Sequence, residues 1–344
     1  MSGTSSRMII VGGRQRKGAI DKDEWHAYES AVILCLDPAT GELQSKIEYS
    51  SPAEVCPDSQ PAIVFKAGDL HPEKNRLLLC TQTEILEYDT NDWSQTFYYS
   101  HRSFNDLHHA CYSDSDRILI ANTGLDQVVE LQLNRDQNSE SSILQSWSFG
   151  ASETWNQFDQ SIDYRKVAST KPHHAHPNFI FKFQNKTFVT RFHQKDAIAL
   201  DDPNLTFPIT IGNPHDGIVT SDQVVFTTTD GNVVMFNAAN QPAAGIIDLN
   251  AITASKDKLG WCRGIAFEDP QTIWVGFSRF RPTLHRKYLS KKYLKWLKKR
   301  FKSGGSYGSM PTRVAKYDIT SKRLLKQIDL EQHGLNCVFG IYFH

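Results

Sequence analysis

The residues best equipped for chemistry are histidines gathered just ahead of strand-like runs. KPHHAHPNFIF, residues 171–181, carries His173, His174 and His176. LHHA (107–110) and PHDG (214–217) show the same arrangement. Set side by side, the three stretches place His108, His176 and His215 at one shared position, and WCRG (261–264) puts Arg263 one step along. Neutral imidazoles converging from three sides suit a divalent transition metal (Zn, Fe, Mn or Cu) with positions open for water or substrate. A metal so held would polarise a carbonyl or lower the pKa of water. A slip of one residue reverses every side-chain direction on a strand, so His109, His173 and His174 are the alternate ligands. The same imidazoles could instead hydrogen-bond within a polar channel, or bind an anion beside Arg263. Asp106 and Asp216, next to the ring positions, are candidates to orient an imidazole or act as general base. Asp equally favours local turn hydrogen bonds.

These positions are far apart in the chain, so a repeating scaffold must bring them together. Short β-branched and aromatic runs recur between turn residues, in groups of four. The clearest group is HDGIVTSD, QVVFTTTD, GNVVMFN and GIIDL. Four strands in every ~40 to 50 residues mark a β-propeller. Such groups span 62–100, 107–149, 176–211, 215–249 and 262–330. Three strands remain near the N-terminus (RMIIVGG, AVILCLD, LQSKIEY) and one near the C-terminus (NCVFGIYF). They combine as a sixth blade, 336–343 with 8–49, that shuts the ring and covers otherwise free sheet edges. The expected fold is an all-β six-bladed propeller over 8–344, with 1–7 as a flexible tail.

The blade rhythm, the TGE and DG turns and the closing strand resemble the six-bladed propeller superfamily that includes the NHL-repeat, gluconolactonase-like and strictosidine-synthase-like proteins. The resemblance implies the fold and leaves the reaction open. The acidic metal-binding set of the gluconolactonase kind has no counterpart at corresponding positions.

In a propeller the first strand of each blade lines the channel, and the loops entering it share a face with those joining the second and third strands. Here that face carries the long loops 14–29, 50–61, 150–172 and 281–311, which makes it the working face. At the ends of the second strands, Gln82, Asn122, Arg191 and Arg279 would surround the same mouth as substrate-binding residues. Arg191 ends an apolar strand and needs either a polar cavity or a partner such as Asp196. Trp25, Trp155 and Trp261 lie on loops of this face and could wall an organic ligand.

Residues 286–302, RKYLSKKYLKWLKKRFK, hold nine lysines and arginines and no acid. Leu289, Tyr293, Trp296, Leu297 and Phe301 recur at helical spacing, so a basic amphipathic helix is expected within an insertion over 282–311. It could pack on the propeller, act as a lid, or meet an anionic membrane surface or acidic partner.

Lysine plus arginine equal aspartate plus glutamate at 38 each, so no net field argues for nucleic acid. The six cysteines lack CxxC spacing and read as buried, reduced side chains. No signal peptide or membrane-length apolar run is present, and a cytoplasmic location is expected. Phosphate-binding glycine loops, dinucleotide fingerprints and nucleophile elbows are also missing. The expected function is a metal-dependent lyase, hydrolase or oxygenase acting on a small polar or anionic substrate at the channel mouth. The alternative is a non-catalytic propeller that binds a protein or lipid surface through the decorated face.

Overall fold

A computed structural model describes residues 7–16, 27–59, 61–71, 75–135, 141–279 and 310–344. Trp25, the basic stretch 286–302 and nearly all of the expected insertion lie outside the described residues.

The chain forms six four-stranded antiparallel sheets. The closing sheet pairs β24 (Cys337–Phe343) with β1 (Met8–Gln15), followed by β2 (Tyr28–Leu36) and β3 (Leu43–Tyr49). The second holds β4 (Asp69–His71), β5 (Arg76–Cys80), β6 (Glu84–Asp89) and β7 (Gln95–Ser100). The third holds β8 (Leu107–Tyr112), β9 (Arg117–Asn122), β10 (Gln127–Gln132) and β11 (Ser142–Ser148). Next come β12 (Pro177–Phe183), β13 (Lys186–Arg191), β14 (Asp196–Ala199) and β15 (Thr206–Pro208). The fifth contains β16 (Pro214–Val219), β17 (Val224–Thr228), β18 (Asn232–Phe236) and β19 (Gly245–Asp248). The last contains β20 (Trp261–Asp269), β21 (Thr272–Ser278), β22 (Arg313–Asp318) and β23 (Arg323–Asp329). This is the six-bladed propeller expected from the sequence, closed by its C-terminal strand.

Burial follows the radial position of each strand. A strand sandwiched between neighbouring blades is covered on both faces, and β2 is buried almost throughout. The outer strand β3 alternates in its exposure because its far face meets water. A separate apolar core fills each space between blades. Trp274, Val314, Leu34 and Val338 pack between the last sheet and the closing one. Phe181, Phe188, Phe207, Phe226 and Phe236 fill the space between the fourth and fifth. Each such ring contributes about 1.5–3 kcal/mol through burial.

Closure is tightest at Gly12. A Cβ there would lie 1.8 Å from the Cys337 carbonyl oxygen, so only glycine lets β1 and β24 approach. The first and last described residues also meet, with the Arg7 and His344 backbones exchanging two hydrogen bonds of 2.9 Å.

The innermost strand of the second sheet is shorter than the run AIVFKAGDL suggests. Only Asp69–His71 pairs as a strand. The segment before it bridges two sheets: Phe65 N–H donates to the Gly12 carbonyl and Lys66 N–H to the Cys80 carbonyl. Gly68 is pressed against the Leu78 carbonyl, where a Cβ would lie 1.8 Å from the oxygen. Lys66 is thereby brought into the channel wall rather than onto a blade face.

Candidate functional site

The inner strands all run in one direction down the channel, so residues at their starts share its upper mouth. A cavity of about 450 Å³ opens there, lined among others by Lys66, Asp106, His108, Lys171, His173, His176, His215 and Arg263. Its apolar wall comes from Val64, Phe192, Trp261 and Phe339. A side chamber of about 280 Å³ shares Ala62, Gln82, Asp106 and Lys171 with it.

The imidazoles expected to share a level come together. The rings of His108 and His176 are 4.7 Å apart between centroids, and those of His108 and His215 are 5.6 Å apart. Two turns aim them. Asp106 and His176 both adopt left-handed backbone angles, φ 47° and 57°, immediately ahead of their strands, a strained conformation for non-glycine residues that clusters at functional sites. The loop carrying His176 is held from below by Asp126, whose carboxylate accepts the backbone N–H groups of His174, Ala175 and His176 at 2.5, 3.0 and 2.7 Å.

Ring nitrogens are unequally occupied. His108 Nδ1 donates to the Asp106 carbonyl oxygen at 2.8 Å, so the lone pair of the neutral ring is on Nε2. His176 Nδ1 faces His173 Nδ1 at 2.7 Å, one of the two supplying the proton. Among the described residues, buried His215 Nε2 has no hydrogen-bond partner. Burial holds His108, His176 and His215 well below the usual imidazole range, with neighbouring cations adding to the effect. All three are neutral at pH 7.

Charge is the second feature. Lys66 is 6% exposed, with Nζ 4.5 Å from the Phe339 ring centroid. The Arg263 guanidinium lies 4.4 Å from the same centroid and 5.6 Å from the Trp261 ring. Asp106 is the carboxylate in the lining, 3.6 Å from Lys66 Nζ and 3.9 Å from Lys171 Nζ. Burial tends to raise its carboxyl, but the Lys66 and Lys171 charges outweigh that and keep it ionised. Among the described residues no carboxylate pairs with Arg263, whose Nε is buried without a hydrogen bond. Burial pushes this guanidinium down to about 10, where it still carries its charge at pH 7. Among the described residues, Lys66, Lys171 and Arg263 thus face the single carboxylate of Asp106.

Other expected residues are placed elsewhere. Arg191 is held by Asp196 in a two-pronged pair of 2.9 and 2.6 Å and does not line the cavity. Arg279 reaches the rim, but Glu331 takes its guanidinium at 2.7 Å through two nitrogens. Asn122 is a structural tie, donating to the Ser103 carbonyl and accepting from Asn105 N–H. Gln82 lines both chambers, its buried Oε1 without a partner among the described residues. Trp261 is in the wall, whereas Trp155 is on the surface, 39% exposed.

Asp216 sits one step below the mouth, its oxygens accepting Gly217 N–H at 2.9 Å and Gly264 N–H at 3.0 Å. Burial raises its carboxyl to about 7. It spans β16 and β20 and is not in the upper lining. His109 points down the channel, accepting Ile180 N–H at 3.3 Å. His174 is on the surface. Among the described residues no group of three or more His, Cys, Asp or Glu is arranged to hold a metal ion. The physical reason lies in the neighbours: His176 Nδ1 is engaged by His173, and Lys66 and Arg263 bring positive charge into the space a divalent ion would need.

Lys66, Lys171, Phe192, His193, Phe339 and Asp126 were not anticipated. Lys66 offered the best signal, a lysine inside an apolar run, which must find a partner or a polar cavity.

No protein-family model matches the chain, and no curated protein matches it in sequence. Solved structures do resemble it. A protein of unknown function from Bacteroides caccae is 11% identical, with a TM-score of 0.59 over 98% of this chain and 99% of that one. A chain of a nidogen/laminin complex is 8% identical, with a TM-score of 0.55 over 98% of both chains. The Swd1 β-propeller domain of Myceliophteria thermophila is 10% identical, with a TM-score of 0.49 over 96% of this chain and 87% of that one. At such identities the likeness to the first two is one of fold alone.

Proposed function

We propose that the upper cavity binds a small organic anion with an apolar body, and that the protein acts on that molecule there. The observation carrying this reading is the charge imbalance of the site: Lys66, Lys171 and Arg263 against, among the described residues, Asp106 alone. A buried cation without a protein counter-ion is costly, and an anionic ligand relieves that cost. Phe192, Trp261 and Phe339 supply the surface for the apolar part. The neutral imidazoles offer both a lone pair and an N–H, the equipment for moving a proton to or from a bound molecule.

A metal-dependent form of the reaction is the weaker reading. It draws on His215 Nε2, which has no partner among the described residues, and has the neighbouring cations against it. Metal analysis of protein purified without an affinity tag decides between the two, stoichiometric metal lost on replacing His176 and His215 favouring the metal.

The anion reading is tested with Arg263→Gln. Benzoate titrated into the wild type by calorimetry should give saturable binding, weakened about tenfold or more in the variant, as loss of a charged hydrogen bond implies. Equal affinity of the two proteins would refute it.

A further inference from the structure

Lys66 has a placement that salt-bridge chemistry does not explain. Among the described residues its ammonium is nearest the Asp106 carboxylate, at 3.6 Å, beyond a good hydrogen bond. No hydrogen bond of Nζ to a described residue offsets the burial of the side chain, which is 7% exposed. One side is covered by the Phe339 ring, and the cavity lies on another. Two further cations, Lys171 and Arg263, line the same space. A lysine retained for charge alone would do better at the rim. A lysine that is buried, apolar on one side and crowded by positive charge is a nucleophile's environment.

We propose that Lys66 forms an imine with an aldehyde or ketone that also bears a carboxylate or other anionic group. The inference rests on the anion reading, since Arg263 and Lys171 are what would orient such a molecule with its carbonyl toward Nζ. In the step itself the neutral amine attacks the carbonyl carbon, forming a C–N bond while the C=O π pair moves to oxygen. A proton passes from nitrogen to that oxygen through an imidazole of the lining. The nitrogen lone pair then expels the hydroxyl group, which takes a proton relayed from solvent by the same imidazole and leaves as water, so that the protonated C=N remains. No oxidant or reductant is needed. The iminium so formed withdraws electrons from the adjacent carbon, which is the requirement for breaking a bond there. The structure favours the reactive amine: burial lowers the Lys66 ammonium first, Asp106 opposes, and Arg263 and Lys171 lower it further.

Glyoxylate, an anionic aldehyde, is the probe. The full chain is incubated with glyoxylate and cyanoborohydride at pH 7, digested, and mapped by mass spectrometry for the carboxymethyl group left on lysine. Labelling at Lys66 is expected to be saturable, suppressed by benzoate, and about tenfold or more faster than at surface lysines, which are almost fully protonated at this pH. Lys66→Arg should melt near the wild type and leave the surface labelling unchanged. Labelling of Lys66 at or below the surface rate overturns the inference. If benzoate binds by calorimetry in that case, the imine alone falls. If benzoate does not bind either, the anion site falls with it.

Discussion

The channel has two chambers built by the same strands, and they differ in almost every respect. The upper one gathers imidazoles, lysines and an arginine. The lower one, about 480 Å³, is lined by Phe179, Ile180, Phe181, Ile218, Val219, Ile265, Phe267, Ile341 and Phe343, with Asp69, His109 and Lys182 among its few polar residues. Each inner strand changes character along its length. On β16, His215 and Asp216 give way to Ile218 and Val219, and on β20 Arg263 gives way to Ile265 and Phe267. Gly217 and Gly264 mark the waist, where Asp216 ties the two strands. Polar chemistry is therefore concentrated at the end that loops enter, where loop residues such as Lys171, His173 and Phe192 can complete the site. The apolar end is wall and packing.

If this division is right, damage at the two ends must have separable consequences. Phe181→Ala, at a ring 4% exposed, removes contacts with Phe188 and Phe226 and should cost about 3–5 kcal/mol in stability. Benzoate affinity at the upper mouth should survive in the folded protein, as paired denaturation and calorimetry would show. Asp126→Ala, which strips three N–H groups of their acceptor, should cost roughly 3 kcal/mol and weaken benzoate binding as well. Loss of stability with unaltered affinity would show that the His174–His176 loop does not shape the cavity.

Acid should act through the upper chamber. The folded-state pKa values of His108, His176 and His215 are depressed, so their contribution is complete above the unfolded value of about 6.5 and is lost as pH falls below it. Asp216, raised to about 7, works the other way and gains as pH falls through that value. Three imidazoles against one carboxyl predict a lower melting temperature at pH 5 than at pH 7, and His215→Gln should flatten that slope. The smallest effect is expected from Arg191→Gln. Its pair with Asp196 is partly exposed, so the loss should be under about 1 kcal/mol with benzoate binding unchanged.

The sequence carried the fold because each blade repeats four strand signals and the leftover strands at the two ends add up to one more. It also carried the level of His108, His176 and His215, since the three inner strands begin with the same short pattern. Other features were less legible. Arg191 and Arg279 stand at strand ends facing the working side; for Arg191 the pair with Asp196 was one of two expectations and is the one formed, whereas nothing in the sequence pointed Arg279 to Glu331. Lys66 was hidden inside a run that reads as an ordinary inner strand, because nothing in AIVFKAGDL announces that Gly68 must abut a carbonyl and that the segment before it bridges two blades. Asp126 acts on backbone N–H groups, which leave no trace in side-chain spacing.

Charge sign at the upper mouth is what most of the functional reading depends on, and three ligands of one shape probe it directly. Benzoate, benzamide and benzylamine are titrated into the wild-type protein at low salt. Benzoate should bind about tenfold or more tighter than neutral benzamide, as the loss of one charged contact implies, with benzylamine weakest of all. Equal affinity for the three, or a preference for the amine, would contradict an anion site among Lys66, Lys171 and Arg263.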